Sequence, residues 1–174
     1  MKSLRLVTLV TAILLATPAL AGTMNNVYID QVGSGSTITM TQQGTGNSIG
    51  DSSSSTSLNG DNQTISISQV GSNNTHNVSV QGGNATVNSV VTGDSNTTTI
   101  NCGTTPTSSC SDTTITANVT GDQNNTSITA GKKSNMSITT NGSQNNTSII
   151  STTTNMMGAT ASVTTVGDAN TVSV

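Results

Sequence analysis

Apolar and polar residues alternate along most of this chain, in short segments that glycines separate. In the first copy of the pattern, every second residue from Asn25 to Gln31 forms one segment, Gly33 interrupts it, and every second residue from Ser36 to Gln42 forms the next. A period of two is that of a strand with one buried face. The pattern therefore predicts two short strands joined at a glycine turn.

The same strand-turn-strand frame recurs about six times. A unit this short cannot bury a core alone, so the copies must stack on one another. The sequence thus predicts an all-β fold, a β-solenoid of about six two-strand coils, in which one register fits every copy. The copies begin near Asn25, Gln63, Ala85, Thr113, Ser134 and Ala159.

Three stretches interrupt this rhythm, at residues 50–59, 103–112 and 152–158. Each is expected to lie between copies, as a loop on one side of the stack, and not inside a strand. None resembles a linker between separate domains. Residues 22–174 are therefore predicted to form a single repeat domain.

The turns share the spacing Gly-x-x-Asn or a close variant of it. Glycine adopts a positive φ without strain, and Asn or Asp can hydrogen-bond to the local backbone. Such a corner reverses the chain and returns the next Asn to the inward face. The predicted turn glycines are Gly33, Gly44, Gly71, Gly93, Gly121, Gly142 and Gly167.

Polar side chains at inward positions are expected to stack from coil to coil as hydrogen-bonded ladders. Inward aliphatic residues, from Val27 and Ile29 in the first copy to Val163 in the sixth, would form a dry seam beside them. The predicted ladder residues are Asn25, Gln31, Gln42, Gln63, Gln69, Asn74, Asn96, Asn124, Asn145 and Asn170.

The first 21 residues have the features of a secretory signal. Lys2 and Arg5 precede an apolar run, and Ala19-Leu20-Ala21 has the form of a cleavage site. Without this segment the chain keeps two lysines against seven aspartates, and Tyr28 is its only aromatic residue. So few cations and aromatic rings argue against nucleic acid as a partner. No stretch of the remaining chain is long and apolar enough for a membrane span.

Neither end of the repeat pattern carries a device that protects a sheet edge. Stable monomeric sheets usually protect their edges with proline, charge or a covering element. Here the pattern begins at Asn25 and runs to Val174 without any of them. An exposed end coil offers unpaired backbone groups to another chain. The sequence therefore predicts a self-assembling polymer subunit whose first partner is itself.

No acid-base pair, nucleophile or metal cluster is visible, so neither an enzyme nor a cofactor is predicted. Cys102 and Cys110 could close a small loop by a disulfide in an exported chain, or remain as one buried and one exposed thiol. His76 is expected to be a polar member of the stack. Four turn aspartates are interpreted as turn formers, with calcium binding as the alternative; they are Asp61, Asp94, Asp122 and Asp168.

The frame Ser/Asn-x5-Gln-x-Gly-x2-Asn-x5-Gln resembles the curlin repeat of bacterial curli fibre subunits. The resemblance spans roughly Asn25 to Val174 and is strongest from Asn25 to Gln42 and from Gln63 to Asn74. It implies export through an outer-membrane pore and assembly outside the bacterial cell into a functional amyloid. It further implies roles in adhesion and biofilm matrix, with a second curlin-like subunit as a possible partner.

Two other functions stay open at this stage. One is a minor nucleator or adhesin subunit within such a fibre. The other is a monomeric ice-binding solenoid, since Thr97-Thr98-Thr99 and Thr114-Ile115-Thr116 offer outward Thr-x-Thr pairs. An ice binder requires one flat threonine array across most coils.

Overall fold

The computed structural model describes residues 23–32, 34–50, 56–81, 84–102, 112–130, 133–150 and 159–174. These residues contain no helix. They form fifteen strands: β1 Asn26–Val27, β2 Ile29–Val32, β3 Thr37–Gln43, β4 Ser48–Ile49, β5 Thr56–Asn59, β6 Thr64–Val70, β7 Thr75–Gln81, β8 Thr86–Thr92, β9 Thr97–Asn101, β10 Thr114–Thr120, β11 Asn125–Thr129, β12 Ser134–Asn141, β13 Asn146–Ile150, β14 Ala159–Val166 and β15 Thr171–Ser173.

The strands form two parallel sheets, and the chain alternates between them. We call each position in a sheet a level; a level holds one strand or two consecutive short strands. The nine-stranded sheet has the order β1-β4-β7-β9-β11-β13-β15, with β2 beside β5 and β5 beside β7. The six-stranded sheet has the order β14-β12-β10-β8-β6-β3. From β3 to β14 the chain makes five full turns, one for each step between neighbouring strands of that sheet. The predicted β-solenoid is confirmed.

The core lies between the two sheets and consists of columns of aliphatic side chains. Within the strands, buried and exposed residues alternate as the period of two requires. Ile65, Val87, Ile115 and Met136 occupy equivalent positions of adjacent strands, and all four are buried. Each apolar side chain is covered by its equivalents in the neighbouring coils. A stack of thin coils thereby gains the continuous core that a single coil cannot provide.

The interruption at residues 50–59 falls within one level of the nine-stranded sheet, so the prediction that it would not lie inside a strand is wrong. Ser48 and Ile49 pair with the beginning of β7, and Ser57 and Leu58 pair with its end. The strands β4 and β5 therefore share one level of the nine-stranded sheet, and the inserted residues divide a strand. Residues 44–50 and 56–59 therefore belong to a half-repeat that the sequence pattern did not reveal.

This additional half-repeat changes the register of the first copy. The strand that begins at Asn26 pairs with Ser48, and Ser48 pairs with Thr75, so Asn25 belongs with Asn47 and Asn74. The prediction that one register fits every copy is wrong within the chain. The first strand of the first copy lies in the nine-stranded sheet, whereas the first strands of the other five copies lie in the six-stranded sheet.

The two corners of the solenoid differ. At one corner, where the chain leaves the six-stranded sheet, six four-residue turns repeat with the same shape from Gly44 to Asn170. At the opposite corner, the described strands before residues 103–111 and 151–158 belong to the nine-stranded sheet, and those after them to the six-stranded sheet. Sequence insertions therefore leave the first corner uniform, and we call it the regular corner.

Candidate assembly surfaces

A column of asparagine side chains follows the regular corner along the nine-stranded sheet. The backbone N and the Nδ2 of Asn96 both donate to the Oδ1 of Asn74, at 2.9 and 3.1 Å. Its Nδ2 also donates to the carbonyl of Gly121 in the next coil, at 2.7 Å. Its own Oδ1 accepts from the backbone N and the Nδ2 of Asn124, at 2.9 and 3.0 Å. The column contains Asn25, Asn47, Asn74, Asn96, Asn124, Asn145 and Asn170.

Asparagine suits this column because its short side chain carries both donors and acceptors. An ionised aspartate could only accept, and a buried polar group left unpaired costs about 1–3 kcal/mol. The column has a direction, since each Asn donates to the Oδ1 of the preceding coil and accepts from the following one. Within the described residues nothing donates to the Oδ1 of Asn170, where the column ends.

Three of the predicted glutamines, Gln42, Gln63 and Gln69, do not join the asparagine column. The Nε2 of Gln42 donates to the Oε1 of Gln69 at 2.9 Å, which makes a short ladder in the six-stranded sheet. Val91 takes the equivalent position in the next strand and ends it. Gln63 is buried next to Ser36, whose Oγ accepts from the backbone N of Gln63 at 3.3 Å. The side chain of Gln31 lies outside the described part of the structure.

Asn47 is a column member that the sequence analysis missed. It is fully buried, its Oδ1 accepts from the backbone N of Asn74 at 3.0 Å, and its Nδ2 donates to the carbonyl of Gly71 at 2.8 Å. The inserted residues hid its half-repeat. The signal that could have found it is the spacing Gly44-x-x-Asn47, which matches the other regular corners.

The glycines of the regular corner allow its turns to stack closely. Each of the six, from Gly44 to Gly167, has a positive φ between 103° and 130°. A Cβ added at Gly93 would collide with the carbonyl oxygen of Gly121, and the same holds for four of the others. At Gly167 the nearest atom would be the Nδ2 of Asn170, at 3.4 Å. Among these six, only Gly167 could take a Cβ without a collision with a backbone carbonyl. Gly33 lies outside the described residues.

Aspartate and serine side chains form a second ladder on the outside of the regular corner. The backbone N of Ser72 donates to the Oδ1 of Asp94 at 2.6 Å, and that of Asp94 to the Oδ1 of Asp122 at 2.7 Å. The backbone N of Asp122 donates to the Oγ of Ser143 at 3.2 Å, and that of Ser143 to the Oδ1 of Asp168 at 2.6 Å. These contacts give the turn aspartates a backbone-capping role between coils.

Asp61 makes the same kind of contact at the opposite corner. Its Oδ1 accepts from the backbone N and the Oγ of Ser34, at 2.7 and 2.9 Å, and these hydrogen bonds lower the pKa of its carboxyl below the ordinary value. Among the described residues no three His, Cys, Asp or Glu side chains come together in a way that could hold a metal ion.

His76 is fully buried inside the solenoid. The Nε2 of Gln69 can only donate, so the Nδ1 of His76 accepts at 3.4 Å and its Nε2 donates to the Oγ of Ser89 at 2.8 Å. Burial lowers the pKa of His76 to about 3, because the charged ring would lose its hydration. The ring is therefore neutral at physiological pH.

Cys102 directly follows β9 of the nine-stranded sheet. Its side chain is buried in the core and takes part in a disulfide. Cys110 lies outside the described residues, so its pairing with Cys102 stays a prediction.

The two ends of the solenoid expose apolar side chains that equivalent positions bury in the middle. Val27 and Ile29 are 40% and 41% exposed, although the sequence placed both in the dry seam. They belong to the first level of the nine-stranded sheet, which extends beyond β3, the end strand of the six-stranded sheet, and nothing in the described chain covers them. At the other end, Val174 occupies the position equivalent to the buried Ile149 and is 63% exposed.

Comparisons with family models, with curated proteins and with solved structures find no match for this chain. The likeness to curlins therefore depends on the repeat frame alone. A search of the described residues finds no helix with the length and apolar character needed to cross a membrane.

Proposed function

We propose that this protein is a secreted structural subunit that assembles end to end into extracellular, curli-like amyloid fibres for adhesion and biofilm matrix. The observation that carries the proposal is that the paired strands and the asparagine column extend to both ends of the described solenoid, where inward apolar side chains stay exposed. Each end therefore offers the contacts that one coil makes with the next. The export machinery of the outer membrane and a second curlin-like subunit are further partners under this proposal.

Growth would proceed by backbone templating. An end strand has one edge of N–H and C=O groups without a neighbour, and an incoming coil adds a parallel strand to it in each sheet. The exposed Val27, Ile29 and Val174 would become buried in the same step. Burial of apolar surface contributes about 25 cal/mol per Å². Backbone hydrogen bonds would then fix the register of the joint, and apolar contacts would supply much of its free energy of association.

The test follows assembly of purified residues 22–174 by thioflavin fluorescence and electron microscopy. We expect a lag phase, unbranched fibres and a shorter lag after addition of preformed fibre fragments. Fibres that form only after a second subunit is added would assign the nucleator or adhesin role. A chain that stays monomeric after weeks at high concentration would refute the fibre proposal.

A second candidate function, ice binding by the monomer, is favoured by the outer face of the six-stranded sheet. Threonine occupies one outward position at five of its six strand levels, and the described outward residues of this sheet carry no charge. The five are Thr37, Thr64, Thr86, Thr114 and Thr160. Thermal hysteresis of a solution of the monomer, lost in Thr86→Lys, would favour this function.

A further inference from the structure

Both end strands of the described chain belong to the same sheet. β1 and β2 form the first level of the nine-stranded sheet, and β15 forms its last. The six-stranded sheet has one level fewer, from β3 to β14. Two copies of residues 22–174 joined without rotation would place β1 and β2 on β15. In the six-stranded sheet, β14 of one copy and β3 of the next would then be two levels apart, about 10 Å, with one strand missing between them.

The missing strand would be costly. β14 has eight residues and β3 has seven, and every second residue of each would point its N–H and C=O into the gap. A buried backbone group without a partner costs about 1–3 kcal/mol. The unrotated joint gains one rung of the asparagine column, Asn25 on Asn170, which does not offset two unpaired edges.

A half-turn of the incoming copy removes the gap. It places β1 and β2 of the incoming copy on β14, and β3 on β15, so both sheets continue without a missing strand. The register then pairs Val27 with Ala161 and Ile29 with Val163, and it pairs Ile38 with Val172. The exposed aliphatic side chains of one end thereby cover smaller ones of the other.

The corner contacts continue as well. The half-turn sets residues 34–36 against the corner of Gly167, the one glycine of the regular corner that has no stacked glycine carbonyl beside it. The backbone N of Asp168 can then donate to the Oγ of the incoming Ser34. Within the chain, the backbone N of Asp122 donates to the Oγ of Ser143 in the same way. The Oδ1 of Asn170 accepts from the backbone N of Ser36, as the Oδ1 of Asn25 accepts from Asn47.

The repeat frame supports the same joint. Within the chain, the half-repeat at residues 44–59 sets the first copy half a coil out of phase with the other five. A half-turn between molecules restores the phase, because the first strand of the first copy then stacks on the first strand of the sixth. We propose that successive subunits are related by a half-turn about the solenoid axis, with β14 and β15 of one copy against β1–β3 of the next. This inference rests on the proposed fibre.

Cysteine pairs distinguish the two joints. Thr37, Thr171 and Asn26 are exposed, and each is the first residue after its inward corner residue. The half-turn pairs Thr171 of one copy with Thr37 of the next, whereas the unrotated joint pairs Thr171 with Asn26 of the next. Neighbouring strands lie about 4.8 Å apart, within the Cα separation of a disulfide. The variants are Thr37→Cys/Thr171→Cys and Asn26→Cys/Thr171→Cys, with Thr171→Cys alone as the control for contacts between fibres.

Fibres of each variant are grown under reducing conditions, oxidised and run on a non-reducing gel. We expect a ladder of covalent multimers from the Thr37 pair only. A ladder from the Asn26 pair, or fibres in which neither pair links, would overturn the half-turn but leave the fibre itself intact. If no variant and no parent chain forms fibres, the proposed function fails first.

The helical symmetry of the fibre gives a second readout. One subunit has 13 levels, seven in one sheet and six in the other. Under the half-turn each level advances the fibre by half the strand spacing, which gives a rise of about 31 Å per subunit. The rotation per subunit is near 180°, in addition to any uniform twist of the coils. The unrotated joint spans seven levels, a rise of about 34 Å, without that rotation. A measured rise of about 34 Å per subunit without the 180° rotation would overturn the inference.

Discussion

The stacked corner glycines allow a sharp test of the solenoid, because the chain contains its own control. Gly93→Ala places a methyl group against the carbonyl oxygen of Gly121, whereas the methyl group of Gly167→Ala would meet only the side chain of Asn170, at 3.4 Å. Both residues have a positive φ, 122° and 103°. Both substitutions therefore carry a backbone strain of about 1–3 kcal/mol. Only Gly93→Ala adds an overpacking cost, of about 1–3 kcal/mol more.

The carbonyl of Gly121 also accepts from the Nδ2 of Asn96, so a displaced corner would weaken the asparagine column too. We expect Gly93→Ala to be the less stable variant by at least about 2 kcal/mol. At a urea m-value of about 2 kcal/mol/M, its unfolding midpoint would lie about 1 M lower. The assay is urea unfolding of dilute monomer, followed by circular dichroism. Equal midpoints for the two variants would refute the close stacking of the corners.

Three further outcomes follow from single side chains. Asn96→Asp places an acceptor where the Nδ2 of Asn96 donates to the Oδ1 of Asn74 and to the carbonyl of Gly121. It should lower the free energy of unfolding at pH 7 by about 3 kcal/mol. The exposed Asn125→Asp should change that free energy by less than about 0.5 kcal/mol, and equal losses in the two variants would contradict the asparagine column. Because the pKa of His76 falls from 6.5 to about 3 on folding, the unfolded chain binds the proton first as the pH drops. Stability should be full above pH 6.5 and fall by about 1.4 kcal/mol per unit below it, and urea midpoints of His76→Gln between pH 6.5 and 4.5 should lack that slope. Ile138→Pro removes a backbone donor from a central strand and should stop thioflavin-positive growth, while Ile138→Val should slow it little; normal growth of the proline variant would contradict the strand register.

The period-two pattern was sufficient to predict the fold class and the buried face of most strands. Ile65, Ile115 and Ile138 lie in the core as the alternation indicates. The pattern failed at residues 44–59, because only Asn47 and Ile49 follow the corner before the insertion divides the strand. A strand that resumes after an insertion has no local signal, since its register is fixed by the neighbouring strand and not by its own sequence.

The candidate assembly surfaces were less predictable than the fold. The sequence placed asparagines and glutamines in the same kind of ladder, whereas position relative to the corner separates them. A residue three positions after the corner glycine reaches the next coil's carbonyl, as Asn96 does, and Gln69 instead pairs inside the core. The exposure of Val27 and Ile29 depends on which sheet ends first, and that in turn depends on the hidden half-repeat.

X-ray fibre diffraction from aligned, aged samples of residues 22–174 tests the central claim most directly. End-to-end stacking of these coils predicts a strong reflection near 4.8 Å along the fibre axis, from strands that lie across it. A sample that yields no oriented fibres and sediments as a single monomeric species would contradict it.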